Sequence, residues 1–253
     1  MCSSASSDSD TDNFAPRCLS LDLEVGVDDS RIHQFAAVRG DTNQAYDFQK
    51  GNLDEALAGL DSFAEGVTFL LGHNVVAFDL PHLEAAKPDL RLLKLPAVDT
   101  LRLNPLAFPR NPYRHLVKHY QDDARLTLDV FRDQHGALRN LNESAPDLLI
   151  AWHWLTTSDD SVSGLNAFFT KLRRKLRPTD TDALAAFERC LAGQACITAT
   201  REILADEHSQ GWPLAYTLAW LSVAGSNSVM PPWVRHQLDR KSTRLNSSHI
   251  TRS

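Results

Sequence analysis

The stretch Cys18-Leu-Ser-Leu-Asp-Leu-Glu-Val25 alternates apolar and polar side chains with a period of two. That period belongs to a strand with one face in a core, and it constrains the chain more than any other segment does. Leu19, Leu21, Leu23 and Val25 take one face, and Ser20, Asp22, Glu24 and Gly26 the other. Asp22 and Glu24 therefore point the same way. A solvated strand face accounts for such a pair. So does a divalent-cation site, because hard cations take oxygen ligands and two neighbouring carboxylates can bridge ions about 4 Å apart.

Further elements follow in order. Arg31–Arg39 and Gln44–Phe48 read as strands joined by the turn Gly40-Asp-Thr-Asn43. Asn52–Glu65 has helical spacing, with Leu53, Leu57, Leu60 and Ala64 on one face and Asn52 as N-cap. Val67–Leu71 reads as a short buried strand ending at Gly72-His73-Asn74, and Asp79–Ala86 as a helix stopped before Pro88. With Pro96, Pro105, Pro109 and Pro112, residues 95–112 read mostly as loop. Tyr113–Tyr120 and a longer run from Asp122 to about Leu138 are helical in pattern. Strands first, then alternating helix and strand, predict an α/β fold built on a mixed sheet packed by helices. After Asn140 only helical spacing occurs, at Pro146–Thr156, Val162–Leu176, Thr181–Gly193 and Trp212–Ala224. The expected organisation is a disordered leader over 1–16, an α/β domain over 17–140, a small all-α region over 141–239, and a tail over 240–253.

Composition narrows the class. With 26 Lys and Arg against 32 Asp and Glu, a formal −6, the chain lacks the basic balance of a generic nucleic-acid binder. No apolar run approaches the ~20 residues that span a bilayer, so no membrane partner is expected. The polar, acidic start MCSSASSDSDTDN is unlike a secretory signal. Cys2, Cys18, Cys190 and Cys196 form no CxxC pair, as expected of reduced thiols in a cytoplasmic protein.

Two more segments carry acids in order behind Asp22 and Glu24. Leu70-Leu-Gly-His-Asn-Val-Val-Ala-Phe-Asp-Leu-Pro-His-Leu83 brings Asp79 to a strand-to-helix junction, and Asp122-Asp-Ala-Arg-Leu-Thr-Leu-Asp-Val-Phe131 opens an amphipathic helix with Asp123. Together, SLDLEVG, GHNVVAFDLPHL and DDARLTLDVF resemble the three motifs of the DEDD superfamily of 3′→5′ exonucleases, over about residues 17–135. The resemblance implies an RNase H-like fold. It also implies that Asp22, Glu24, Asp79 and Asp123 hold two Mg²⁺ or Mn²⁺ ions at the terminal phosphodiester of DNA. Asn74 would position backbone or substrate at the strand end, and Leu23 and Phe78 would bracket the terminal nucleotide. Asp99, in VDTLRL, matches a recurrent Asp-Thr and reads as support for the structure. His73 reads either as part of the motif or as a packed core histidine.

The third motif departs from the family. Relatives place a His five residues, or a Tyr four, before the last Asp, whereas Lys118, His119 and Tyr120 stand five, four and three before Asp123. A segment of order ten residues looks absent at Gln121/Asp122. His119, one helical turn before Asp123, is the nearest substitute as general base, with His115 next. Two alternatives to a DNA exonuclease follow: a catalytically impaired nucleic-acid-binding module, and an oligoribonuclease-like enzyme acting on RNA.

In the all-α part, AWHWL, SGLNAFFTKLRRKLRP and AGSNSVMPPWVRHQ, placed behind such an exonuclease, resemble the N-terminal region of a bacterial group of RecQ-type DNA helicases. The resemblance implies a helicase-linked repair protein, but no G-x-x-x-x-G-K-[ST] phosphate loop occurs and the motor is absent from this chain. Lys171-Leu-Arg-Arg-Lys-Leu-Arg177 could meet a phosphate backbone or be a solvated helix face. The five tryptophans could stack bases or fill the core. The closing RKSTRLNSSHITRS lacks periodicity and acids and resembles adapter read-through at a broken gene end. Setting it aside moves the formal charge from −6 to −10.

Overall fold

In a computed structural model, residues 16–112, 123–157, 163–192, 211–224 and 231–232 are described. The alternating run forms β1 (Cys18–Val25), paired antiparallel with β2 (Ile32–Arg39), which pairs antiparallel with β3 (Ala45–Phe48). On its other edge β1 runs parallel to β4 (Phe69–Gly72), and β4 parallel to β5 (Ala97–Asp99). The result is a five-stranded mixed sheet in the order β3-β2-β1-β4-β5.

Strand parity divides the apolar residues between two cores. Leu19, Leu21, Leu23, Ala37 and Leu70 face one side, against Leu57 and Leu60 of α1 (Leu53–Phe63) and Leu83 of α2 (Asp79–Ala86). Asn52 caps α1 by accepting from the Asp54 and Glu55 N–H groups. Cys18, Val38, Phe69, Leu71 and Val98 face the other side. There they meet α3 (Thr100–Ala107), α4 (Asp123–Ser144), α5 (Pro146–Thr156), α6 (Ser163–Arg173), α7 (Asp180–Cys190) and α8 (Trp212–Ala224). The helices after residue 140 therefore share a core with the sheet, and α4 runs unbroken from Asp123 to Ser144 across that position.

The proline-rich stretch differs from the expected loop, because it holds β5 and α3. A three-residue strand is too short to show a period, and Pro105 sits inside α3. Tertiary burial overrides the breaker: Val98, Leu103 and Leu106 have no exposed surface, and Asp99 caps α3 through the Leu101 N–H. Residues 113–122 lie outside the described residues, as do residues 1–15 of the leader and the tail over 240–253.

The described tryptophans serve the core. Trp152 is fully buried and donates to Ala215 O, Trp154 donates to Asp180 Oδ1, and Trp212 and Trp220 pack on the same cluster. Cys18 and Cys190 are free thiols, and burial pushes Cys18 up to about 12 and Cys190 to about 11. Among the described residues, no helix is long and apolar enough to cross a membrane.

Candidate metal centre

The polar face of β1 changes character along its length. Cys18 is in the core, Ser20 is fully buried, and Asp22 and Glu24 are partly exposed where β4 has already turned away. The first turn of α4 crosses this end of the strand. It brings Asp123 close enough that one carboxylate oxygen each from Asp22, Glu24 and Asp123 lie within 4.8 Å of one another. Asp123 Oδ1 is buried and meets no hydrogen-bond donor.

Asp79 approaches from the opposite side of β1. The last β1–β4 pairing is at Ser20 and Leu71, and farther along the strand the Leu23 N–H donates instead to Asp79 Oδ1 at 3.0 Å. Asp79 is only 3% exposed. Burial, followed by the neighbouring Asp22 charge, pushes its carboxyl up to about 7. A buried acid beside a second acid, with a half-exposed third and fourth nearby, suits a bound cation, whose charge would favour ionised carboxylates. The donor set is all oxygen, as Mg²⁺ and Mn²⁺ prefer, and the orphaned Asp123 oxygen is free to take such an ion.

The turn after β4 is held from below. Asn74 adopts a left-handed conformation, φ 70°, which Asn tolerates better than most residues. Its N–H donates to Asp99 Oδ1, and its carbonyl accepts from the Ala77 and Phe78 N–H groups. Asn74 thus shapes the backbone that delivers Asp79. The same Asp99 oxygen accepts from the Leu101 N–H, so Asp99 ties this turn to α3, and burial raises its pKa. Thr100 donates its hydroxyl proton to Gly72 O, so it accepts from His73 Nδ1 at 3.0 Å. His73 is partly buried, and desolvation lowers its pKa.

The structure therefore brings Asp22, Glu24 and Asp123 together, with Asp79 against the same strand and Asn74 behind it. Leu23 is placed differently. Its side chain is 4% exposed and belongs to the apolar core on the face away from Asp22 and Glu24, so only its backbone meets the site. Phe78 is 39% exposed at the start of α2, and its ring lies 4.7 Å from that of His82. His119 and His115 fall outside the described residues.

One polar contact went unnoticed in the sequence: Ser20 Oγ donates to Ala124 O at 2.6 Å. The parity of Ser20 with Asp22 and Glu24 places it on their face of the strand but carries no sign of its partner. Within the basic run, Arg173 binds His153 and Leu176 O, and Arg177 binds Thr157 and Trp154 O; Lys171, Arg174, Lys175 and Arg177 are exposed. No family model, curated protein or solved structure matches this chain.

Proposed function

We propose that this chain is a DEDD-type, RNase H-like 3′→5′ exonuclease that hydrolyses DNA from its 3′ ends with two Mg²⁺ or Mn²⁺ ions. The observation that carries the reading is the meeting of Asp22, Glu24 and Asp123, from a strand and a helix a hundred residues apart, within 4.8 Å. The sheet order, with a three-stranded antiparallel portion continued by two parallel strands, is compatible with that fold.

Asp22, Glu24 and Asp123 would hold the ions, with Asp79 closing the set from the β4 side. When bound, such ions lower the pKa of a water and stabilise the leaving 3′-oxyanion. The chain's own part is positional. The Leu23 N–H and the α2 start fix Asp79, and the Asp99 cap fixes the turn before it. Phe78, exposed beside Asp79, offers an aromatic face to the terminal base. His119 is the proposed general base.

The test is digestion of 3′-recessed and single-stranded DNA with Mg²⁺, comparing wild type with Asp22→Ala. Metal-dependent release of mononucleotides by wild type, lost in Asp22→Ala, is expected. Equal activity in both, or none in either at high enzyme, would overturn the catalytic reading. Retention of DNA ends without cleavage would then favour a binding module, and faster cleavage of short RNA would make the substrate RNA.

A further inference from the structure

We propose that Ser20 is a positioning residue for the carboxylate cluster, fixing α4 over β1 so that Asp123 meets Asp22 and Glu24. The inference rests on the metal-site reading above and adds a residue to it.

Ser20 lies two residues before Asp22 on the same strand face, so one short segment both supplies two carboxylates and touches the helix that supplies the third. Its hydroxyl has a single proton, and that proton goes to Ala124 O, the carbonyl next to Asp123 in the chain. Ser20 is 0% and Ala124 1% exposed, so water does not compete for the contact. The apolar packing of Leu128 and Phe131 against the sheet holds α4 down. Apolar contact is non-directional, however, and leaves sliding along the sheet weakly opposed. A buried, directional hydrogen bond in the first turn opposes sliding where it matters. Gln134 gives a second buried tether, to Thr100 O and Asn104 Oδ1, but it lies about three turns farther down the helix. It sets the middle of α4 and leaves the height of Asp123 to Ser20.

The same geometry separates positioning from plain stability. A residue that merely holds the fold lowers the melting temperature and leaves ion affinity unchanged. A residue that aims a ligand weakens ion binding in the folded protein. Loss of a hydrogen bond made directly to a ligand typically costs about 10–100-fold in metal affinity, and a bond to the ligand's backbone neighbour acts less directly.

The experiment is titration of the full chain with Mn²⁺, following the free-ion electron paramagnetic resonance signal, with thermal melting recorded in parallel. Wild type, Ser20→Ala, Ser20→Cys and Ser20→Thr are compared. Ser20→Ala is expected to weaken Mn²⁺ binding about tenfold, the lower end of that range. Ser20→Thr, which keeps the hydroxyl, is expected to stay near wild type, with Ser20→Cys, a weaker donor of similar size, in between. Wild-type affinity in folded Ser20→Ala overturns the proposal whatever its melting temperature. If Ser20→Ala does not fold, wild-type affinity in Ser20→Cys overturns it instead. Absence of Mn²⁺ binding by wild type removes the metal reading itself, and Ser20's role with it.

Discussion

Asp79 Oδ1 takes the Leu23 N–H at 3.0 Å, where β4 has stopped pairing with β1. A carboxylate thus stands in for a missing strand partner, and the end of a ladder becomes the wall of a site. Leu23 joins two tasks at one residue. Its side chain closes the core beneath α1 and α2, while its N–H orients an acid on the far edge of the strand. The acid is buried next to Asp22, so the arrangement is costly without a cation.

This cost separates two substitutions at Asp79. Asp79→Asn keeps an oxygen for the Leu23 N–H and removes the buried charge. Asp79→Ala leaves that N–H unpaired, a loss of about 1–3 kcal/mol. In chelator-treated protein at pH 8, Asp79→Asn is expected to match or exceed wild type in urea midpoint, and Asp79→Ala to fall below it. Added Mn²⁺ should raise wild type, and raise Asp79→Asn less, since Asp22, Glu24 and Asp123 remain. An Asp79→Asn protein less stable than Asp79→Ala would contradict the account.

Two glycines test the joining of the helical part to the sheet. A Cβ on Gly164 would stand 1.9 Å from Ala97 O, so α6 approaches β5 by backbone contact that no side chain permits. Gly136, inside α4, has nothing within 4 Å of an added Cβ. Gly164→Ala is expected to cost about 1–3 kcal/mol or more, because α6 must lift from β5. Gly136→Ala should add roughly 0.5–1 kcal/mol, since alanine loses less entropy in a helix. Urea unfolding of both variants decides it; equal effects would mean that α6 does not rest on the sheet.

What could be read beforehand follows from how local each signal is. β1 was legible because a strand buried on one face must alternate, and the same alternation put Asp22 and Glu24 side by side. The N-cap of α1 was legible because Asn52 bonds within three residues of itself. β5 and α3 were hidden by brevity and by Pro105, whose lost backbone bond is offset by burial that only the folded chain supplies. The Ser20 tether was hidden for another reason. Its partner lies 104 residues away, and no pattern in β1 distinguishes a serine that meets water from one that meets a helix.

The all-α part carries its own titratable group, and it predicts sensitivity to mild acid. His153 has no exposed surface and stacks on Phe169. Arg173 Nη1 reaches its Nδ1 at 2.6 Å, and Asn166 Oδ1 its Nε2 at 2.9 Å. A guanidinium only donates, so Nδ1 is the bare acceptor and Nε2 carries the proton given to Asn166. A second proton would set two cations face to face. Burial, opposed by the Asn166 bond and reinforced by Arg173 and Arg177, lowers His153 to about 4. Between about 4 and the ordinary 6.5, the unfolded chain therefore binds more protons than the folded one. Stability from this group is complete above about pH 6.5 and is lost as pH falls towards 4, by about 2–3 kcal/mol in all. Urea midpoints from pH 7 to pH 4.5 should fall more steeply in wild type than in His153→Gln, which cannot titrate. At pH 6 the ring nitrogens should give the NMR shifts of the neutral Nε2–H tautomer. A protonated ring at that pH, or parallel slopes for the two proteins, would show that burial beside Arg173 does not hold His153 neutral.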